Sequence, residues 1–142
     1  ISYAINPQHL LPAVAQGALS IELRSDDADT QALLQPLHDV ESALCVLAER
    51  AMNYRLQGGC QVPIAGFAEL GADNTLLLEG RVGAVDGSEL LIEQAQITFN
   101  LNDDAENNVQ RVTQAEELGK TIADRLLARG ARALLDQAYD NQ

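Results

Sequence analysis

Cysteine is scarce in this chain of 142 residues: it has two, Cys45 and Cys60. They form no C-x-x-C pair and cannot build the disulfide framework of a small secreted domain. A reducing compartment follows, and the cytoplasm is the expected one. The two histidines, His9 and His38, lack zinc-site spacing, so no structural metal is expected. Basic residues are few, 9 Lys and Arg against 21 acids, for a formal charge of −12. Such a surface repels phosphate backbones and anionic lipid, which argues against nucleic acid and membrane partners. Arg24, Arg50 and Arg55 could still gather into a small basic patch. No apolar run is long enough to cross a bilayer. The start, Ile1-Ser2-Tyr3-Ala4, has neither an initiator Met nor the regions of a signal peptide, and reads as part of a longer chain. Neither a P-loop nor a dinucleotide fingerprint occurs.

What is present is a globular composition, 46% hydrophobic and 21% charged, enough for one domain, or one domain with an appendage. Residues 1–17 are non-periodic, with Pro7 and Pro12, and read as a connecting segment. Residues 18–24 alternate, with Leu19, Ile21 and Leu23 on one face, which predicts a strand whose partner lies outside the chain. Asp26, Asp27 and Asp29 precede a short helix predicted over 31–35, capped by Thr30 and stopped near Pro36. Those acids read as a solvated capping cluster rather than a metal site.

Asp39 is the candidate N-cap of the clearest helix, in which Val40, Leu44, Leu47, Ala51 and Tyr54 recur at helical spacing. It should end near Gln57, with Gly58 and Gly59 as the stop. Strands are predicted over 62–70, 75–85 and 90–101, joined by short turns into an antiparallel meander. Gly66, Gly80 and Gly83 read as places of close packing or bulges. A polar loop over 102–108 precedes a helix opened by a Thr113–Glu116 capping box and broken at Gly130. The predicted fold class is α+β: a three-stranded antiparallel sheet with helices packed on one face, preceded by a strand–helix segment belonging to another domain.

The chemistry centres on Gly58-Gly59-Cys60-Gln61-Val62-Pro63. Two glycines leave the thiol uncrowded, and Pro63 pushes Val62 towards an extended conformation. The preceding helix C-terminus disfavours a thiolate, and no histidine is within local reach, so a protease-like nucleophile fits poorly. Local chemistry leaves both a mounted, functional thiol and an ordinary loop cysteine open. Cys45, inside a helical pattern, reads as a small buried thiol. A thiol-dependent protein using Cys60 is one reading. A small α+β interaction module binding through the strand at 18–24 is another.

The run Glu49-Arg50-Ala51-Met52-Asn53-Tyr54-Arg55-Leu56-Gln57-Gly58-Gly59-Cys60-Gln61-Val62-Pro63-Ile64-Ala65 resembles the signature of the porphobilinogen deaminase (hydroxymethylbilane synthase) family. Leu11-Pro12-Ala13-Val14-Ala15-Gln16-Gly17-Ala18-Leu19-Ser20-Ile21-Glu22 is similar to the family's other characteristic stretch, and Gly130-Ala131-Arg132-Ala133-Leu134-Leu135 to its C-terminal end. The resemblance implies a transferase that joins four porphobilinogen molecules into hydroxymethylbilane with release of ammonia, in tetrapyrrole (heme) biosynthesis. Cys60 would anchor a dipyrromethane cofactor through a thioether, with Gln16, Gly17 and Gly59 near the cofactor. Arg24 would face substrate carboxylates, a job suited to a bidentate guanidinium.

The resemblance also implies a parent about twice this length, working as a monomer. Residues 1–12 would end its second domain, 13–38 would return to the first as a hinge, and 39–142 would form the cofactor-carrying C-terminal domain. The catalytic aspartate and most substrate-binding arginines lie in the missing N-terminal domains, so no catalytic residue is expected here. This portion alone is expected to be inactive, and its thiol can be bare.

Overall fold

The structure, a computed structural model, describes residues 2–7, 9–59, 61–99 and 105–140. The expected boundary helix appears as α1 (Ala28–Leu34), followed by a 3-10 turn (Gln35–Leu37). Its cap is Asp27, not Thr30: the Asp27 carboxylate accepts from the Thr30 amide at 3.1 Å. Those hydrogen bonds, with Arg24 beside them, hold the Asp27 carboxyl below its usual range. Residues 18–24 form no strand. Leu19 is fully exposed and Ile21 and Leu23 face solvent, because no sheet edge among the described residues pairs with them.

Helix α2 (Val40–Leu56) begins as expected, with Asp39 accepting from the Ser42 amide at 2.7 Å. It ends on Gln57 itself, in the left-handed region at φ 58°, rather than on a glycine. Gly58 is needed for space instead. A Cβ there would overlap the Asn53 side chain and lie 2.8 Å from Ile64 Cδ1.

The meander is as predicted: β1 (Ile64–Leu70), β2 (Thr75–Gly83) and β3 (Leu90–Thr98), antiparallel in the order β1-β2-β3. Gly66 pairs with Gly80 across β1 and β2, and both clear space for the Met52 side chain from α2. Gly83 makes only ordinary contacts. Leu76, Leu78 and Val82 point from β2 into the core, where they meet Leu44, Ala48, Met52 and Leu56 of α2.

Helix α3 runs over Ala105–Ala128, so the expected loop gives way to helix from residue 105; residues 102–104 lie outside the described residues. Thr113 is an interior position, its hydroxyl donating to the Val109 carbonyl at 3.1 Å, and no capping box starts there. From Ala115 onward Leu118, Ile122 and Leu126 enter the core as predicted. Gly130, at φ 101°, ends this helix and α4 (Ala131–Asp140) adds Ala131, Leu134, Leu135 and Ala138 to the same core. The result is an α+β unit with helices on one face of a three-stranded sheet.

Candidate functional site

Two places carry the sequence-derived site residues, and α2 separates them. At its C-terminal end the backbone turns through Gln57, Gly58 and Gly59. Cys60 itself lies outside the described residues, but both neighbours, Gly59 and Gln61, are exposed, while Val62 is buried and fixes the start of β1. The turn is tied to the end of the chain, because the Tyr139 hydroxyl of α4 donates to the Gln57 carbonyl at 2.9 Å. A Cβ on Gly59 would come within 3.3 Å of that hydroxyl oxygen.

At the N-terminal half of α2 lies an open cavity of about 440 Å³. Gln16 and Gly17 line it together with Asp39, Ser42, Cys45 and Glu49. The 13–17 segment is wound tightly: Ala15 sits at φ 59° and Gly17 at φ 91°, and the Ala13 amide donates to Gln16 Oε1 at 2.9 Å. Glu49 holds this segment to the domain. Its buried carboxylate accepts from the Ala15 amide through Oε2 at 2.6 Å and from the Ala68 amide of β1 through Oε1 at 2.7 Å. Burial pushes the Glu49 carboxyl upward, and the two amide donors offset only part of that shift.

Cys45, half-buried one turn before Glu49, is a structural thiol. Burial raises its pKa, the Glu49 charge adds to this, and the Leu70 amide opposes it.

Gln16 and Gly17 thus belong to one cavity, which reaches along α2 as far as Glu49, and Gly59 to a turn about 12 Å further on, taking 1.5 Å per residue from Glu49 to Gln57. Arg24 is on the surface before α1, paired with Asp27 at 3.2 Å. The basic patch assembles only in part: Arg50 and Arg55 line one cavity with Lys120 and the acids Glu116, Glu117 and Asp124, where Arg55 pairs with Asp124 of α3 at 2.8 Å, and Arg24 is not among its lining residues. No group of His, Cys, Asp and Glu suited to a metal occurs among the described residues. Sequence reasoning missed Glu49 as a site residue. Its signal was present, since an acid on the apolar face of a helix needs buried partners.

The fold defines an α+β domain in which a cysteine-bearing turn joins a helix to a sheet. Residues 43–128 match the family model described as porphobilinogen deaminase, C-terminal domain. The chain is 52% identical over 135 residues to "Porphobilinogen deaminase, chloroplastic" of Euglena gracilis, covering 95% of this chain and 28% of that protein. The chain belongs to the porphobilinogen deaminase family and carries its C-terminal domain. It spans little more than a quarter of that relative, a smaller share than the half expected from the resemblance. The cytoplasmic expectation is corrected by the same comparison, because the relative is a chloroplastic protein. Free thiols indicate a reducing compartment but do not choose between cytosol and plastid.

Proposed function

We propose that this chain is the cofactor-carrying part of a plastid-type hydroxymethylbilane synthase, a transferase that joins four porphobilinogen units head to tail and releases ammonia at each addition. The observation that carries the reading is the Gly58-Gly59-Cys60-Gln61-Val62-Pro63 turn, set between α2 and β1 within a match to the family's C-terminal domain. Cys60 is the anchor. Its sulfur would form a thioether to the pyrrole-bearing methylene carbon, whose C–N bond breaks so that the amino group leaves with the thiol proton as ammonia. The exposed flanks Gly59 and Gln61 fit such an attachment, because neither is packed into the core that Val62 enters.

The dipyrromethane group, when bound, supplies the pyrrole end on which substrate units accumulate. The other roles belong to this chain's own residues. Gly59 leaves the approach to the thiol open, and the Tyr139–Gln57 bond fixes the direction of the turn. Gln16 and Gly17 would approach the cofactor from the segment that Glu49 holds. Arg24 would exchange its exposed Asp27 partner for a substrate carboxylate, an exchange that costs little because surface ion pairs are weak. Residues 1–12 and 13–38 would then belong to the second and first domains of the whole enzyme, and 39–142 to the third. The acid–base residues would come from the N-terminal domains, and the enzyme would work as a monomer.

Cys60→Ser in the full-length enzyme tests the reading. The expected variant folds, carries no covalent pyrrole and makes no hydroxymethylbilane. A Ser variant that still polymerises porphobilinogen would contradict it. If the variant instead loses only general thiol reactivity, the thiol-dependent reading gains.

A further inference from the structure

The three-stranded sheet has two free edges, and each is met by a pair of side chains one helical turn apart. On β1 the outward amide of Ala68 donates to Glu49 of α2, and that of Leu70 lies beside the Cys45 thiol. On β3 the outward groups engaged are carbonyls. Arg129 Nη1, just past the end of α3, donates to the Ile92 carbonyl at 2.6 Å, and Arg125 Nη1 of α3 to the Gln94 carbonyl at 3.3 Å. Arg129 also pairs with Glu93 at 2.6 Å, which steadies its guanidinium beside the strand. Acceptors thus meet outward amides on β1, and donors meet outward carbonyls on β3.

The β3 sequence, Leu90-Leu91-Ile92-Glu93-Gln94-Ala95-Gln96-Ile97-Thr98, is the kind that recruits another strand. It is aliphatic, has one charge and no proline, and leaves Leu90 and Ile92 largely exposed. The chain has only nine basic side chains, and two of them are committed to this one edge. We propose that Arg125 and Arg129 are gatekeepers that close the free edge of β3 to a second copy of this chain. Without them two copies would pair β3 to β3, antiparallel about a two-fold axis, giving one continuous six-stranded sheet.

The test is the average mass of the Arg125→Ala/Arg129→Ala variant in solution across a concentration series, beside the parent chain and a Lys120→Ala/Arg132→Ala control. The control removes the same two positive charges without touching the edge. Either change makes the chain more negative, so charge alone predicts less association. The expected result is a rise towards twice the parent's mass in the edge variant only. Gln96→Pro added to that variant should reverse the rise, because it removes an outward amide and no bond to β2. The proposal is overturned if the edge variant keeps the parent's mass, if the control rises equally, or if Gln96→Pro leaves the association unchanged. Should the double variant lose its sheet by circular dichroism, Arg129→Ala alone carries the same test with a smaller shift.

Discussion

Replacing Gly119 by alanine is expected to destabilise the domain by about 3 kcal/mol or more, lowering the melting temperature by on the order of 10 °C. Gly119 sits where α3 crosses α2 at backbone contact. An added Cβ would run into the Ala48 carbonyl oxygen and lie 2.8 Å from the Met52 amide nitrogen. Both are helix backbone atoms engaged in the α2 ladder, so neither can rotate away. The helices must separate, and the packing of Ala48, Met52, Ala115 and Ile122 loosens together.

Gly80→Ala makes the useful contrast. There the new Cβ meets side-chain atoms, Met52 Sδ and Ile122 Cγ2, the latter at 2.7 Å. Methionine adapts to irregular space, so Gly80→Ala should cost clearly less. Thermal melts of both variants check the order. A Gly119→Ala protein as stable as the parent would mean that α2 and α3 do not cross this closely.

Glu49 variants are expected to split stability from segment docking. Glu49→Ala orphans the buried Ala68 amide and the partly buried Ala15 amide and leaves a cavity, for a cost of about 3 kcal/mol. Glu49→Gln should fall within about 1 kcal/mol of the parent at neutral pH, because it removes a desolvated charge while losing one acceptor. The sign follows from linkage. The folded-state pKa of Glu49 is raised above its ordinary value of 4.5, so the folded protein holds that proton more tightly than the unfolded chain. The stability Glu49 contributes is therefore complete below about pH 4.5 and declines as the pH rises through the raised folded value. Glu49→Gln removes that slope.

A glutamine offers one oxygen to two amides. The strand amide of Ala68 should keep it and Ala15 should be released. Amide hydrogen exchange at Ala15 is then expected to speed up at least about tenfold, the equivalent of a 1.4 kcal/mol weaker closure, while Ala68 stays protected. Unchanged exchange at Ala15 would show that Glu49 does not hold the 13–17 segment.

Most of the fold was legible because its signals are local and periodic. Asp39 as cap, the three strands, the Gly130 break and the inward stripe Leu118–Ile122–Leu126 all follow from spacing and turn chemistry. The misses have different causes. Residues 108–114 are helical without one buried side chain, Val109 and Val112 being exposed, so no apolar period marked them. The alternation at 18–24 is genuine, but a strand needs an edge to pair with and none among the described residues supplies it.

Gly119 and the partners of Glu49 were silent for a third reason. A close backbone approach and a carboxylate shared between two distant segments exist only once α2, α3 and β1 are assembled. The cysteine turn and the family signature were legible in the sequence, and the family they point to is the one the chain belongs to. That Gln16 and Gly17 lie in a different cavity from the Gly59 turn could be read only from the structure.

The measurement that bears most directly on the anchor is mass spectrometry of the assembled enzyme, taken to intact mass and then to peptides covering Cys45 and Cys60. An added mass of two linked pyrroles on the Cys60 peptide, with Cys45 unmodified, is the predicted result. An active enzyme whose adduct lies on Cys45, or whose Cys60 peptide carries none, would contradict the account.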